Sequence, residues 1–417
     1  MLKEITINNF RSFRNETLFT MEADSDRVSE YSDRIVDIND NKILRVSSIY
    51  GPNGGGKTNL LLAITILPTI VRGGRYIIPR EIQNIFCDNP YSEISVFFVD
   101  DNFEYGFYIK FKSTIDFQED DLESKRSSFS ITKFELVDES VVFRKKGNKE
   151  FLELYQRNEN GIVQSEYFSG LNIKFPNLAI NKTVLSKVYE DYANNESIDE
   201  EALLVINGLY NQIDSITSLN ESISLPRFRY ELIKQKTTKK DLIKLLANSN
   251  INISDIIYDE KRDTLYFERE IEVDGKVLKK RIQFSDESQG TKKLFGILLK
   301  LIFNINNDCI FVADDFDSKF HPKLSKAIIE LFENSKSKSQ LILNSHDIIN
   351  MNNALFRRDE IWFVYRDESY SSILVPLSNI VNQKGEQIRK DAQYNKQYLE
   401  GRYGADPFIR KGLDWND

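Results

Sequence analysis

The sequence predicts an α/β protein: a mixed sheet, an antiparallel β subdomain and a helical insertion. Three observations lead there. Residues 44–64 read as strand, glycine-rich loop and helix in immediate succession. Residues 310–313 and 341–343 are short, wholly apolar runs, as strands buried on both faces of a parallel sheet are, and helical stripes accompany them. Between these halves lie alternating segments with hairpin turns, then a stretch at helical spacing. The expected division is 1–150 for a first lobe with the glycine-rich loop and the β subdomain, 151–250 for a helical insertion or arm, and 251–417 for a second lobe. A chain of 417 residues has ample core for two or three such units.

Composition narrows the class. The formal net charge is −8, so no global basic field draws the chain to nucleic acid, although a local basic groove is compatible with it. Cys87 and Cys309 are the only cysteines, which is no disulfide framework and suits a reducing cytosol. With His321 and His346 the only histidines, a His/Cys metal site is not expected. No apolar run reaches membrane-spanning length, and the first residues lack the shape of a signal peptide. The expectation is a soluble cytoplasmic protein with no membrane partner.

In chain order, Leu2 to Ile7 alternates like a strand and Asn8 to Arg14 follows as a turn. Residues 22–42 are polar and acidic and read as a surface loop. Leu44 to Tyr50 is a strand. Gly51-Pro52-Asn53-Gly54-Gly55-Gly56-Lys57-Thr58 then fits G-x-x-x-x-G-K-[ST], and a helix runs on from Asn59. Glycines let successive backbone N–H groups wrap a phosphate, and the helix start adds unpaired donors and partial positive charge. Lys57 is expected at the β- and γ-phosphates of ATP and Thr58 at Mg²⁺, with Asn53, Gly54, Gly56 and Asn59 completing the contact set.

Glu93–Phe98 and Phe103–Phe111 form a hairpin about Asp100-Asp101-Asn102, residues 116–123 are an acidic solvated stretch, and 129–143 is further strand. From 177 to 247 helical spacing dominates, as in Leu185, Val188, Tyr189 and Tyr192, then Leu203, Ile206, Leu209, Tyr210 and Ile213. Strands return at 256–258 and 264–267, and 270–284 is a hairpin on Asp274-Gly275.

Asp286-Glu287-Ser288-Gln289-Gly290-Thr291 precedes a helix with Leu294, Ile297, Leu298, Leu301 and Ile302 on one stripe. Ser288 is its expected N-cap, and the Ser288–Gly290 backbone forms a second phosphate cradle. One chain seldom needs two cradles for one nucleotide, whereas two facing chains do. The apolar strand 310–313 ends in Asp314 and Asp315. Asp314 fits a Mg²⁺ ligand and Asp315 a residue that orients attacking water, their side chains alternating across the strand. Gln340 to His346 reads as another buried strand, its terminal imidazole placed to contact the γ-phosphate. His321-Pro322 opens the intervening helix, and His321 reads as structural or as a contact across a dimer.

The ordered set GPNGGGKT, ESQGT, FVADDFD and SHD resembles the ABC-type ATPase heads of SMC, RecF and double-strand-break repair proteins. The opening Ile5 to Phe13 is similar to the start of such heads. More narrowly, Glu287 to Thr291, Asp314 to Asp317 with His321-Pro322, Ile361 to Val364 and the tail Gly401 to Phe408 resemble AAA-family ATPases of bacterial anti-phage abortive-infection operons, related to the OLD proteins. The resemblance implies a head-to-tail homodimer in which each phosphate loop faces Ser288 and Gly290 of the other chain. It also implies that Arg11 lies near the phosphates. OLD proteins carry a C-terminal Toprim nuclease, and the roughly 70 residues after His346 are too few for one, so a nuclease effector would be a separate partner. The family usually has Glu where this chain has Asp315. The shorter side chain holds water differently, so slow turnover is expected.

Two functions follow from the resemblance: a defence ATPase that controls a toxic effector, or a RecF/SMC-like ATPase that clamps DNA. The cations offered to DNA are Arg227, Arg229, Lys234, Lys236, Lys239, Lys240 and Lys244, with Lys276, Lys279, Lys280 and Arg281 on the later hairpin.

Overall fold

The computed structural model describes residues 1–25, 28–29, 31–74, 82–117, 130–158, 161–164, 181–192, 200–219, 233–381, 385–389 and 391–403. The chain begins with β1 (Leu2–Asn8) and β2 (Thr17–Thr20), an antiparallel pair. β3 (Ile35–Ile38) and β4 (Asn41–Leu44) form a two-stranded hairpin where the sequence suggested only loop. Asn39 and Asp40 both take positive φ, 48° and 62°, as a tight hairpin turn requires, and Ile35, Ile38, Ile43 and Leu44 are buried. The polar residues between them masked that alternation.

β5 (Val46–Tyr50) leads through the glycine-rich loop into α1 (Lys57–Thr65) and α2 (Leu67–Val71). There follow β6 (Ser92–Val99), β7 (Phe103–Phe117), β8 (Ser130–Lys145), β9 (Leu152–Asn158) and β10 (Gly161–Gln164). They join the first two strands in a seven-stranded antiparallel sheet of order β10-β9-β8-β7-β6-β1-β2. Helical character therefore does not begin at 151: residues 152–158 and 161–164 extend this sheet. The long β8 offers an edge that β9 completes, burying Leu154 and Tyr155, a tertiary demand that residue spacing does not carry.

α3 (Val184–Tyr192) and α4 (Glu200–Asp214) supply the expected helices, with Tyr189 and Tyr210 stacked at 3.7 Å between centroids. After them β11 (Ile216–Ser218) returns to the central sheet, a third strand inside the span 151–250 read as helical. α5 (Lys236–Ala247) precedes a three-stranded sheet of β12 (Asp255–Asp259), β13 (Thr264–Val273) and β14 (Lys276–Gln283). The hairpin turns at Asp274-Gly275, both at positive φ. The rest alternates: α6 (Gln289–Asn306), β15 (Ile310–Ala313), α7 (Pro322–Glu333), β16 (Gln340–Asn344), β17 (Ile361–Arg366), β18 (Ser372–Pro376) and α8 (Tyr394–Leu399).

The central sheet has the order β11-β15-β16-β5-β17-β18, parallel throughout except for the last pair. Strand alternation sorts its side chains into two cores. Ile49, Ile310, Val312, Ile342, Trp362 and Val364 join α1 and the antiparallel sheet. Tyr50, Phe311, Ala313, Leu341, Leu343 and Phe363 join α6, α7 and the residues around α8. The glycine-rich loop thus leaves the carboxyl end of a strand that is covered on both faces, where parallel sheets bind ligands. The tail from 404, Arg227, Arg229 and most of the acidic stretch 116–123 lie outside the described residues.

Candidate nucleotide-binding site

The loop 51–56 is shaped by contacts to its backbone. Gly51 has φ 150°, and a Cβ there would stand 2.0 Å from the Val364 carbonyl oxygen on neighbouring β17. Gly56 has φ 122°, and a Cβ would meet Ser372 Oγ at 2.4 Å and Ser12 Oγ at 2.8 Å. Both positions exclude side chains for want of room as well as for backbone conformation. Two segments far apart in sequence back the loop. Ser372 Oγ donates to the Gly55 carbonyl (2.6 Å) and shares a hydrogen bond with Ser12 Oγ (2.7 Å), and Asn59 Nδ2 donates to Ser12 Oγ (2.8 Å). At the exposed tip, with Asn53 and Gly54, Arg366 Nε donates to the Gly54 carbonyl at 2.7 Å. Asn59, expected among the phosphate contacts, is engaged in bracing the loop.

Gly51→Ala is therefore expected to lower stability by about 1–3 kcal/mol and to impair nucleotide binding together. Gly54→Ala, whose Cβ meets nothing within 4 Å, should carry only the left-handed strain of roughly 1 kcal/mol. Thermal unfolding and ATP titration of both variants check this, and equal effects would contradict the close approach of β17.

Lys57 is buried, and its Nζ donates to the Gly51 (2.8 Å) and Pro52 (3.1 Å) carbonyls, closing across the loop. Burial pushes its pKa down, while the carboxylates of Asp315, Asp314 and Asp317 pull it back up. Thr58 Oγ1, on the first turn of α1, donates to Asp314 Oδ1 at 3.0 Å. The structure thus joins the hydroxyl and the carboxylate expected to share a cation, from residues 256 apart in sequence. Two hard oxygen donors on this scale suit Mg²⁺, which keeps much of its coordination for water and phosphate.

Asn344, at the end of β16, is a site residue that sequence reasoning missed. Its Nδ2 donates to Asp314 Oδ1 (2.5 Å) and its Oδ1 accepts from the Asp315 backbone N–H (2.5 Å). One fully buried amide therefore holds the Asp314 carboxylate and the Asp315 backbone. The only signal was an Asn closing an apolar strand. Asp315 has φ 48° and ψ 52°, a left-handed residue opening a turn. Its direction is set by that turn and not by strand alternation with Asp314, which corrects the sequence expectation.

β16 ends at Asn344, two residues before His346, whose side chain is exposed; the His346 backbone N–H donates to Asp317 Oδ1 at 2.9 Å. His321 caps α7, its Nδ1 accepting from the Lys323 N–H, as a structural reading requires. Arg11 lies in the Phe10–Phe13 turn at φ 52°; its N–H donates to the Ile82 carbonyl (2.5 Å), and its carbonyl accepts from Asn84 Nδ2 (2.7 Å). It adjoins Ser12 and so sits on the turn that backs the loop.

Ser288 caps α6, accepting from the Thr291 N–H at 3.1 Å, and Gly290 is exposed beside it. The described hydrogen bonds of Ser288 stay within its own helix start. Glu287 is tied to Arg269 of β13 at 2.8 Å, coupling this start to the hairpin. Of the hairpin cations, Lys279 pairs with Glu270, and Arg281 with Glu268 at 3.1 Å. Those cations are offset by acids on the same face.

A strand, phosphate loop and helix, with a carboxylate strand one strand removed, define a P-loop nucleotide-binding protein. The chain belongs to the family described as "AAA domain, putative AbiEii toxin, Type IV TA system", whose profile matches residues 46–350. No curated protein sequence matches the chain. Among solved structures it is similar to the SMC head domain from Thermotoga maritima, at 15% identity, covering 90% of this chain and 98% of that one with a TM-score of 0.42. It is similar also to an SMC head bound to the C-terminal winged-helix domain of ScpA, at 12% identity, covering 91% and 99% with a TM-score of 0.46. Among the described residues no helix is long and apolar enough to cross a membrane.

Proposed function

We propose that the protein is an ABC-type ATPase of a bacterial anti-phage, abortive-infection system, which binds and hydrolyses ATP, dimerises on it head to tail and controls a separate effector. The observation that carries the nucleotide reading is the Thr58–Asp314 contact held by Asn344 beneath the loop. The family description, with its toxin–antitoxin term, supports the defence reading. On this reading the protein works in the cytoplasm.

In the proposed reaction the loop N–H groups and Lys57 hold the β- and γ-phosphates. Thr58 and Asp314 would hold Mg²⁺, which supplies charge neutralisation on the phosphate oxygens when bound. Asp315 orients the attacking water, and His346 contacts the γ-phosphate. Arg11 adds positive charge at the site. Ser288 and Gly290 reach the nucleotide of the partner chain, which accords with their exposure and with Ser288 hydrogen bonds that stay within its own helix start. The DNA-clamping alternative draws less support, because Lys279 and Arg281 are already paired with acids.

Ser288→Arg should keep ATP binding and stop hydrolysis, since the substituted helix start closes the second cradle. Mixing Lys57→Ala with Ser288→Arg chains leaves one composite site intact in each mixed dimer. Partial recovery of ATPase activity is expected. No recovery in mixtures shown to contain mixed dimers would remove the head-to-tail arrangement.

A further inference from the structure

The antiparallel sheet ends at β2 and the central sheet ends at β18. A cavity of about 460 Å³ is lined by both edge strands, with Thr17, Leu18 and Thr20 on one wall and Ile373 and Leu374 on the other. An edge strand turns alternate N–H and C=O groups outward with no ladder partner, the template for another strand. The charge in this cleft has one sign. Glu16, Glu22, Asp24 and Asp359 line it, and no Lys or Arg does so among the described residues. Asp359 is spent on buried Arg357, at 2.9 and 2.6 Å. Glu22 lies 3.7 Å from Lys3, and Glu16 is exposed at the foot of β2. Acids therefore stand at both ends of β2, while Leu18, 47% exposed, and Ile373 and Leu374 give an apolar middle.

We propose that this cleft docks an extended, basic segment of a partner protein, which pairs with the free edge of β2. Its apolar side chains would rest against Leu18 and the β18 wall, and its cations would reach Glu16 at one end and Glu22 at the other. Strand addition of this kind takes affinity from main-chain hydrogen bonds and specificity from alternate side chains. A second copy of this chain is the poorer occupant: pairing two β2 edges would bring Glu16, Glu22 and Asp24 of both copies together. Nucleic acid meets the same repulsion. The docking rests on the cleft alone and needs no nucleotide.

The test uses the full chain and a short labelled peptide alternating lysine and valine, read by fluorescence anisotropy. The wild type should bind it. The exposed pair Glu16→Lys with Leu18→Lys should weaken binding about tenfold or more. On the wild type, the same peptide N-methylated at alternate amides keeps its charge, loses strand donors and should bind as weakly. Absence of binding to folded wild type overturns the proposal. So does equal binding by the N-methylated peptide, which would mean attraction by charge alone. Equal binding by the double variant places the contact elsewhere and also overturns it. Sedimentation of the double variant covers the remaining occupant, since self-association lost with these two changes would make β2 a contact between copies.

Discussion

Lys57→Ala abolishes ATP binding: with Mg²⁺ present, labelled nucleotide should lose at least about a hundredfold in affinity. Lys57 is the cation among Asp314, Asp315 and Asp317, whose fields all act on its amine. Without it, the phosphates would approach three carboxylates with the loop's fixed amine gone, and Mg²⁺ and the backbone donors alone do not replace its contacts. Hydrogen bonds to charged groups are worth about 1.5–3 kcal/mol each, and the amine has donors for two phosphates. The fold should survive, because what the amine bonds in the protein are the Gly51 and Pro52 carbonyls at the loop's own margin. Titration of labelled ATP against folded variant decides, and unchanged affinity would end the phosphate-loop reading.

The second large effect is at Asp315. Asp315→Asn should retain Mg²⁺-ATP and slow hydrolysis by about 10²–10⁴, the usual worth of general-base help. Asparagine tolerates the left-handed conformation at this position as aspartate does, so the loss reports the carboxylate and not the turn. Asp315→Glu is the sharper change. The resemblance to ABC-type heads implies Glu at this position, but the Asp315 backbone is pinned to Asn344 at φ 48°, where a longer side chain adds roughly 1 kcal/mol of strain. The expected outcome is lower stability and no gain in turnover. Single-turnover hydrolysis with nucleotide affinity measures both variants. Wild-type rates in Asp315→Asn would show that another group orients the water.

The parts that were legible in the sequence are those whose cause is local. A strand, a glycine run and a helix start lie within residues 46–65, and their order alone produces the loop. The Asp274-Gly275 hairpin, the Ser288 cap and the buried runs 310–313 and 341–343 were readable for the same reason, although the sequence pattern carries the second strand on to His346 and it stops at Asn344. What escaped depends on distant chain. β9 and β10 are strands because β8 has an edge to fill, and β11 because β15 does. Asn344 matters because it meets Asp314 and Asp315 from a neighbouring strand. The left-handed turn at Asp315 could not be told from one more extended residue. Ser372 carries no motif, and the opening that contains Ser12 does not say what that hydroxyl meets; only folding shows that the two form the back of the loop.

That backing has a consequence for how the protein is made. A ribosome that has passed Thr58 has written the entire phosphate motif and the Ser12 turn, yet neither β17 nor β18, which complete the wall behind it. β5 pairs only with β16 and β17, and the carbonyl of Gly55 and the hydroxyl of Ser12 wait for Ser372, 317 and 360 residues further along. Domains fold as units while chains emerge amino end first. A nascent or prematurely terminated chain, even one that carries everything through residue 350, therefore lacks the strand against which Gly51 is closed. On the proposed reading, the loop reaches its finished shape only when β17 and β18 are in place, so the pocket is completed near the end of synthesis.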